Sequence, residues 1–177
     1  MNCRSAGVTS VVSLIVGFPG ETVHTLENTF RFLQEARPDF YFLATFSTRA
    51  YNVPVLNAQN RQRFQLATQS NLRTVAPYWA HATMSCAEAA GQVRALHARL
   101  MAERVSLNAA LFYSGVLRFR PEQREALLNY QQAIMKPGLL RSMLNGANAW
   151  VDGRLRKDMA RWRESNDTLR ARTQTAP

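Results

Sequence analysis

Apolar positions are densest near the start of the chain, where Val8 to Val16 reads VTSVVSLIV. The run is rich in β-branched residues and predicts a strand. From Ser10 to Val16 it is too continuous for a half-exposed strand, so cover on both faces is expected, as in a parallel sheet. The chain then turns through GFPGE, and Val23, Leu26, Phe30 and Leu33 recur at helical spacing. Glu27 and Arg31 stand as an i,i+4 pair on that helix. It is expected to span Thr22 to Ala36, because Pro38 disfavours helix at Arg37. A second apolar run, DFYFLATF from Asp39 to Phe46, predicts another strand. Strand, helix and strand at this spacing make a βαβ unit, whose crossover is right-handed in nearly all folds. One such unit cannot stand alone, since both strands would be edges and one face would lie bare.

No comparable strand is evident after Phe46, and from about Ala58 the pattern reads as mostly helical. Ser85, Cys86, Ala87 and Glu88 spell a capping box. Val93, Leu96, Leu100 and Met101 form the stripe of the helix that follows, ending near Arg104. Leu107 to Leu117 is a further apolar segment, broken by Gly115. Pro121 suits a first helical position, with Glu122 and Glu125 near the positive end. Leu127, Leu128, Ile134 and Met135 would face inward before Lys136, Pro137 and Gly138 stop the helix. Leu139 to Trp150 predicts one more short helix. The organisation expected is α/β: strands and helix in 1–57, a helical region in 58–150, and a basic polar tail in 151–177. Strands first, helices after and a sheet short of partners read as the C-terminal part of a larger α/β protein.

Composition changes this picture little. At 46% hydrophobic and 19% charged residues, wholesale disorder is excluded. The formal net charge of +10 is nearly all arginine, Lys136 and Lys157 being the lysines. Such a balance attracts phosphates or acidic partners at long range, or reflects genomic base composition. Its spread along the chain favours the second. Cys3 and Cys86 are too far apart in sequence for a metal-binding pair, so no metal site is expected. No run is long enough to span a membrane, and MNCRSAGVTS lacks the layout of a secretion signal; a cytoplasmic location is the expectation.

The chemistry concentrates at the glycine turn. In parallel α/β folds ligands sit at the carboxyl ends of strands, where glycines allow close approach and helix amides are free. Gly17, Pro19 and Gly20 lie there, either under a small polar ligand or as a tight connection with none. The lysine and spacing of a phosphate-binding P-loop are lacking, and so is GxGxxG. SLIVGFPGET followed by a helix and PDFYFLATFST resembles the late barrel strands of radical S-adenosylmethionine enzymes, whose GxIxGxxxE motif lies on the fifth strand. The resemblance implies a partial (β/α) barrel remnant, with Ile15 beside the adenine of S-adenosylmethionine. Gly17 and Gly20 would be the close-approach glycines, Glu21 the motif acid, and Ser13 stands where the motif's first glycine often lies. IVGFPGET, with Thr22, Thr25, Glu35, Pro38 and Asp39 behind it, is similar to members that carry a cobalamin-binding domain upstream. Trp79 to Met84, WAHATM, resembles the post-barrel region of the P-methyltransferase branch, which makes Trp79 and His81 candidate substrate-lining residues.

Intact members of that family are methyltransferases acting on a small-molecule substrate, with a four-iron four-sulfur cluster, S-adenosylmethionine and cobalamin. Their CxxxCxxC cluster loop is not in this sequence. The chain alone is therefore expected to be inactive, its catalytic residues unidentified, with the cluster supplied by a missing N-terminal half or a partner chain. Two other readings stay open: a non-catalytic subunit completing a split barrel, and a basic helical nucleic-acid-binding module. Elsewhere, His24 and His97 are expected to be structural, and Tyr41 and Thr45 to lie at a strand's carboxyl end. Phe112, Tyr113 and Trp150 are read as packing residues rather than stacking platforms. The tail with Arg154, Arg156, Lys157 and Arg161 is read as a solvated helix face.

Overall fold

The computed structural model describes residues 3–48, 53–69, 78–112 and 119–134, with scattered positions between 138 and 164. Met1–Lys136 forms one compact unit and Pro137–Pro177 a second. The first is mixed α/β. Its elements are β1 (Val11–Val16), α1 (Val23–Ala36), β2 (Phe40–Thr45), α2 (Ala58–Phe64), β3 (Ala67–Gln69), β4 (Tyr78–Ala80), α3 (Cys86–Ala102), β5 (Leu107–Asn108) and α4 (Arg124–Ile134).

The expected βαβ unit forms. β1 and β2 pair in parallel, Val11 opposite Phe40 through to Val16 opposite Thr45. The helix between them begins at Val23 because Thr22 is its N-cap, exchanging side-chain and backbone hydrogen bonds with Thr25. It ends at Ala36, with Arg37 in the left-handed conformation before Pro38. Glu27 stands 3.9 Å from Arg31, but its closer partner is Arg99 on α3, at 2.6 Å. That bidentate contact pulls the Glu27 carboxyl below its usual range, while the Arg99 guanidinium also lies 3.7 Å over the Phe30 ring. Val23, expected on the inner face, is exposed, while Leu26, Phe30 and Leu33 are buried.

Two expectations about strands are corrected. A third strand exists: β5 pairs in parallel with β2, giving the order β1-β2-β5. The segment from Leu107, read above within a helical region, thus opens as a strand and turns at 109–112. Two residues are too few to show any period in a sequence. β3 and β4 add a small antiparallel sheet. Among the described residues β1 is also not covered on both faces. Val12, Leu14 and Val16 pack with Tyr41 and Leu43 against Leu26, Phe30 and Leu33 of α1 and Leu96 and Leu100 of α3. The alternate residues point the other way, where Val11 is 49% exposed, Ile15 54% and Phe42 43%. Only the Phe40 end of that face is buried, with Leu107, Ala109 and Leu128 of α4.

Polar side chains seat α4. Arg124 donates from Nη2 to the Val105 carbonyl at 2.8 Å and lies 3.8 Å from Asp39, which accepts from the Ser10 backbone and hydroxyl, both at 3.0 Å. Gln131 is fully buried against β5. Its Oε1 accepts from Asn108 N–H at 2.7 Å, and its Nε2 donates to the Ser106 carbonyl at 3.0 Å. These are the bonds a neighbouring strand would make, so one glutamine stands in for the next strand of the sheet. Ile134, expected inward, is exposed, and Leu127 is half-buried. Tyr113 and Gly115, the inward call on Met135, and Lys136 and Pro137 of the expected stop lie outside the described residues.

In the second unit the described positions between 142 and 150 are helical, as expected of that segment. From Gly153 to Glu164 they are helical as well, and Met159 and Trp162 are buried, so this stretch has an inner side. Trp150, expected to pack, is 67% exposed instead. Among the described residues no helix is long and apolar enough to cross a membrane.

Candidate functional site

The glycine turn stands at the carboxyl end of β1. Gly17 has φ +86° and Gly20 φ +95°, a region that favours glycine, which explains both positions. The space a Cβ would need at Gly17 is occupied within the protein: it would fall 2.5 Å from Trp79 Cη2 and 2.7 Å from Ala89 Cβ. At Gly20 it would meet Phe64 at 3.2 Å. The close approach that the sequence suggested for a ligand is made at Gly17 by an indole ring.

Both polar groups of Gly17 are engaged. Its N–H donates to the Glu21 carboxylate at 2.5 Å. Burial raises the Glu21 carboxyl above its usual range, against the Gly17 and Phe18 amides, which lower it. The Gly17 carbonyl accepts from His81 Nε2 at 3.2 Å. Thr83 N–H points at His81 Nδ1 at 3.3 Å, which assigns the proton to Nε2, and Thr83 Oγ1 donates to the Glu21 carbonyl at 2.7 Å. Trp79 stacks on His81 with rings 5.4 Å apart and donates from Nε1 to the Phe46 carbonyl at 2.9 Å. Trp79 and His81 therefore brace the turn from behind, and both are buried.

The motif residues thus divide in two. Gly17 and Pro19 are buried, Glu21 is half-buried with its carboxylate turned back on the turn, and Gly20 is exposed. Ser13 and Ile15 lie on the open face of β1, free to meet a planar group. Of the amides at this strand end, those of Gly17 and Phe18 are taken by Glu21. What remains for a ligand is surface beside the turn.

A second, partly buried polar cluster was not legible as such. Tyr41 is the second residue of β2, so it lies at the amino end of that strand and not at its carboxyl end as expected. Its hydroxyl lies 2.9 Å from His97 Nδ1, and His97 Nε2 lies 3.0 Å from Asn108 Nδ2. Asn108 Oδ1 accepts from Ala110 N–H at 2.9 Å, which fixes the amide. Nε2 is then the acceptor, and Nδ1–H donates to the Tyr41 oxygen. The trio ties β2, α3 and β5 together, and burial pushes the Tyr41 phenol up. One signal existed: His97 interrupts the stripe of Val93, Leu96 and Leu100, and a polar residue on an apolar stripe needs a buried partner.

These two histidines predict acid sensitivity. Burial holds His81 and His97 below the ordinary histidine value of 6.5. The unfolded chain takes up those protons more readily, so the stability the neutral rings contribute is complete above 6.5 and is lost as the pH falls through the folded values. Urea midpoints measured from pH 7.5 downward are expected to fall. His97→Gln should lower stability at neutral pH but flatten the slope; an unchanged slope would refute the assignment.

Comparison of the chain with protein-family models, with curated proteins and with solved structures returned no match, so its likeness to other proteins rests on the motif residues alone.

Proposed function

We propose that this chain supplies late strands of a radical S-adenosylmethionine-type barrel, with Ser13 and Ile15 against the adenine of that cofactor, in a cobalamin-dependent methyltransferase. One observation supports this above the others. β1 is the end strand of the sheet, and the face carrying Val11, Ser13, Ile15 and Phe42 is uncovered among the described residues. An apolar face beside an open edge is a surface made for further strands. Strands added at β1 would curl over it and enclose Ile15.

The chain's own residues do not fit the iron–sulfur cluster. Cys3 is exposed and Cys86 half-buried, far apart in the sequence, and among the described residues no three His, Cys, Asp or Glu side chains cluster as metal ligands. A four-iron cluster needs clustered thiolates. No radical step is therefore assigned to this chain; the cluster loop and cobalamin domain would belong to a companion segment, continuous with it or a separate subunit.

The test is anaerobic purification of the native gene product from its own cell, with intact mass and iron content. The expected result is a companion segment with CxxxCxxC, in the same polypeptide or co-purifying, and about four irons per complex. A lone 20.0 kDa polypeptide without iron or partner would sink the proposal.

A further inference from the structure

The second unit carries a surface that the barrel reading does not use. Trp150 is two-thirds exposed, an unusual state for the largest aromatic side chain. Together with Gly153, Arg154, Lys157, Asp158 and Arg161 it lines a cleft of about 450 Å³. Gly153 has no packing reason to be glycine, since a Cβ there would meet nothing within 4 Å. A helical glycine costs about 1 kcal/mol relative to alanine.

The three cations are spread along the cleft. At a helical rise of about 1.5 Å per residue, Arg154 and Arg161 lie roughly 10 Å apart along the axis, more than a single phosphate can bridge. The aromatic face and the row of cations together match a stacked base with successive phosphates. A duplex hides its base faces, so the indole would have nothing to stack on. A membrane surface fits less well, because Met159 and Trp162, the bulky apolar side chains described between Gly153 and Glu164, are buried. The chain's net charge of +10 adds long-range attraction for a polyanion.

We propose that this cleft binds single-stranded nucleic acid, a base stacking on Trp150 while Arg154, Lys157 and Arg161 hold neighbouring phosphates. The site is independent of the glycine turn and of the barrel reading.

The experiment is fluorescence anisotropy of the full chain with labelled oligothymidine and oligouridine of about 20 nucleotides, at salt between about 50 and 200 mM. Binding is expected to fall steeply with salt. Trp150→Ala should weaken it about tenfold, since stacking on one aromatic ring carries that much, and Trp150→Phe should retain most of it. Trp150 is exposed, so these variants leave the fold intact. Arg154→Gln and Arg161→Gln should each reduce the salt slope by about one. Absent binding, indifference to Trp150→Ala, or equal affinity for a duplex would overturn the proposal. So would more effective displacement of the label by ADP than by unlabelled oligonucleotide, which would make the cleft a free-nucleotide pocket. Trp150-dependent binding to anionic phosphatidylserine vesicles without oligonucleotide binding would overturn it equally.

Discussion

Replacing Gly17 by alanine is expected to destabilise the protein by about 2–6 kcal/mol, the sum of a strained left-handed backbone and an overpacked core. The added methyl would lie 2.5 Å from the Trp79 ring and 2.7 Å from the Ala89 methyl. Neither neighbour can yield cheaply. Trp79 is held by its bond to the Phe46 carbonyl and its stack on His81, and Ala89 belongs to α3. Domains of this size are stable by about 5–15 kcal/mol, so such a loss is a large fraction of the whole. Gly20→Ala is the comparison: it has the same backbone strain but a 3.2 Å contact with the edge of one ring, and should cost clearly less. Urea denaturation of both variants decides the matter. Equal losses would mean that backbone conformation alone requires these glycines; a larger loss at Gly17 is the signature of the indole behind it.

Gln131→Leu is expected to cost a similar amount for a different reason. It leaves Asn108 N–H and the Ser106 carbonyl buried without their partner, and each such group costs about 1–3 kcal/mol. Gln131→Glu refines the test. Its carboxylate still accepts from Asn108 but repels the Ser106 carbonyl, whereas the protonated acid can donate to it. Burial raises such a carboxyl in the folded state, so the variant should be more stable in acid and lose that stability as the pH rises through the raised value. A Gln131→Glu variant whose relative stability did not change with pH would show that the side-chain pairing is not what matters there.

How much could be seen beforehand depended on whether a signal was local. β1, α1 and β2 were legible because long apolar runs, the helical spacing of Leu26, Phe30 and Leu33, and Pro38 all act within a few residues. The Ser85 capping box was legible for the same reason, with Ser85 Oγ and Glu88 exchanging bonds across three residues. β5 was not, since Leu107 and Asn108 become a strand only by pairing with Phe40 and Tyr41. The expectation that β1 is covered on both faces came from a continuous apolar run, which records how apolar a face is and not what lies on it. At the candidate site, the turn and its glycines could be placed from sequence. That Gly17 is approached by Trp79, sixty-two positions on, and that Glu21 fills the turn's own amides, depend on contacts no spacing rule carries.

The glutamine that closes the β5 side has a consequence for how copies of this chain could stick together. Endless edge-to-edge stacking of sheets needs two receptive borders on every unit, one to accept and one to offer. Here Gln131 saturates the outward groups of Ser106 and Asn108, leaving the β1 border as the receptive one. Two chains joined through β1 would present only blunt ends to a third, so association by this route halts at a pair.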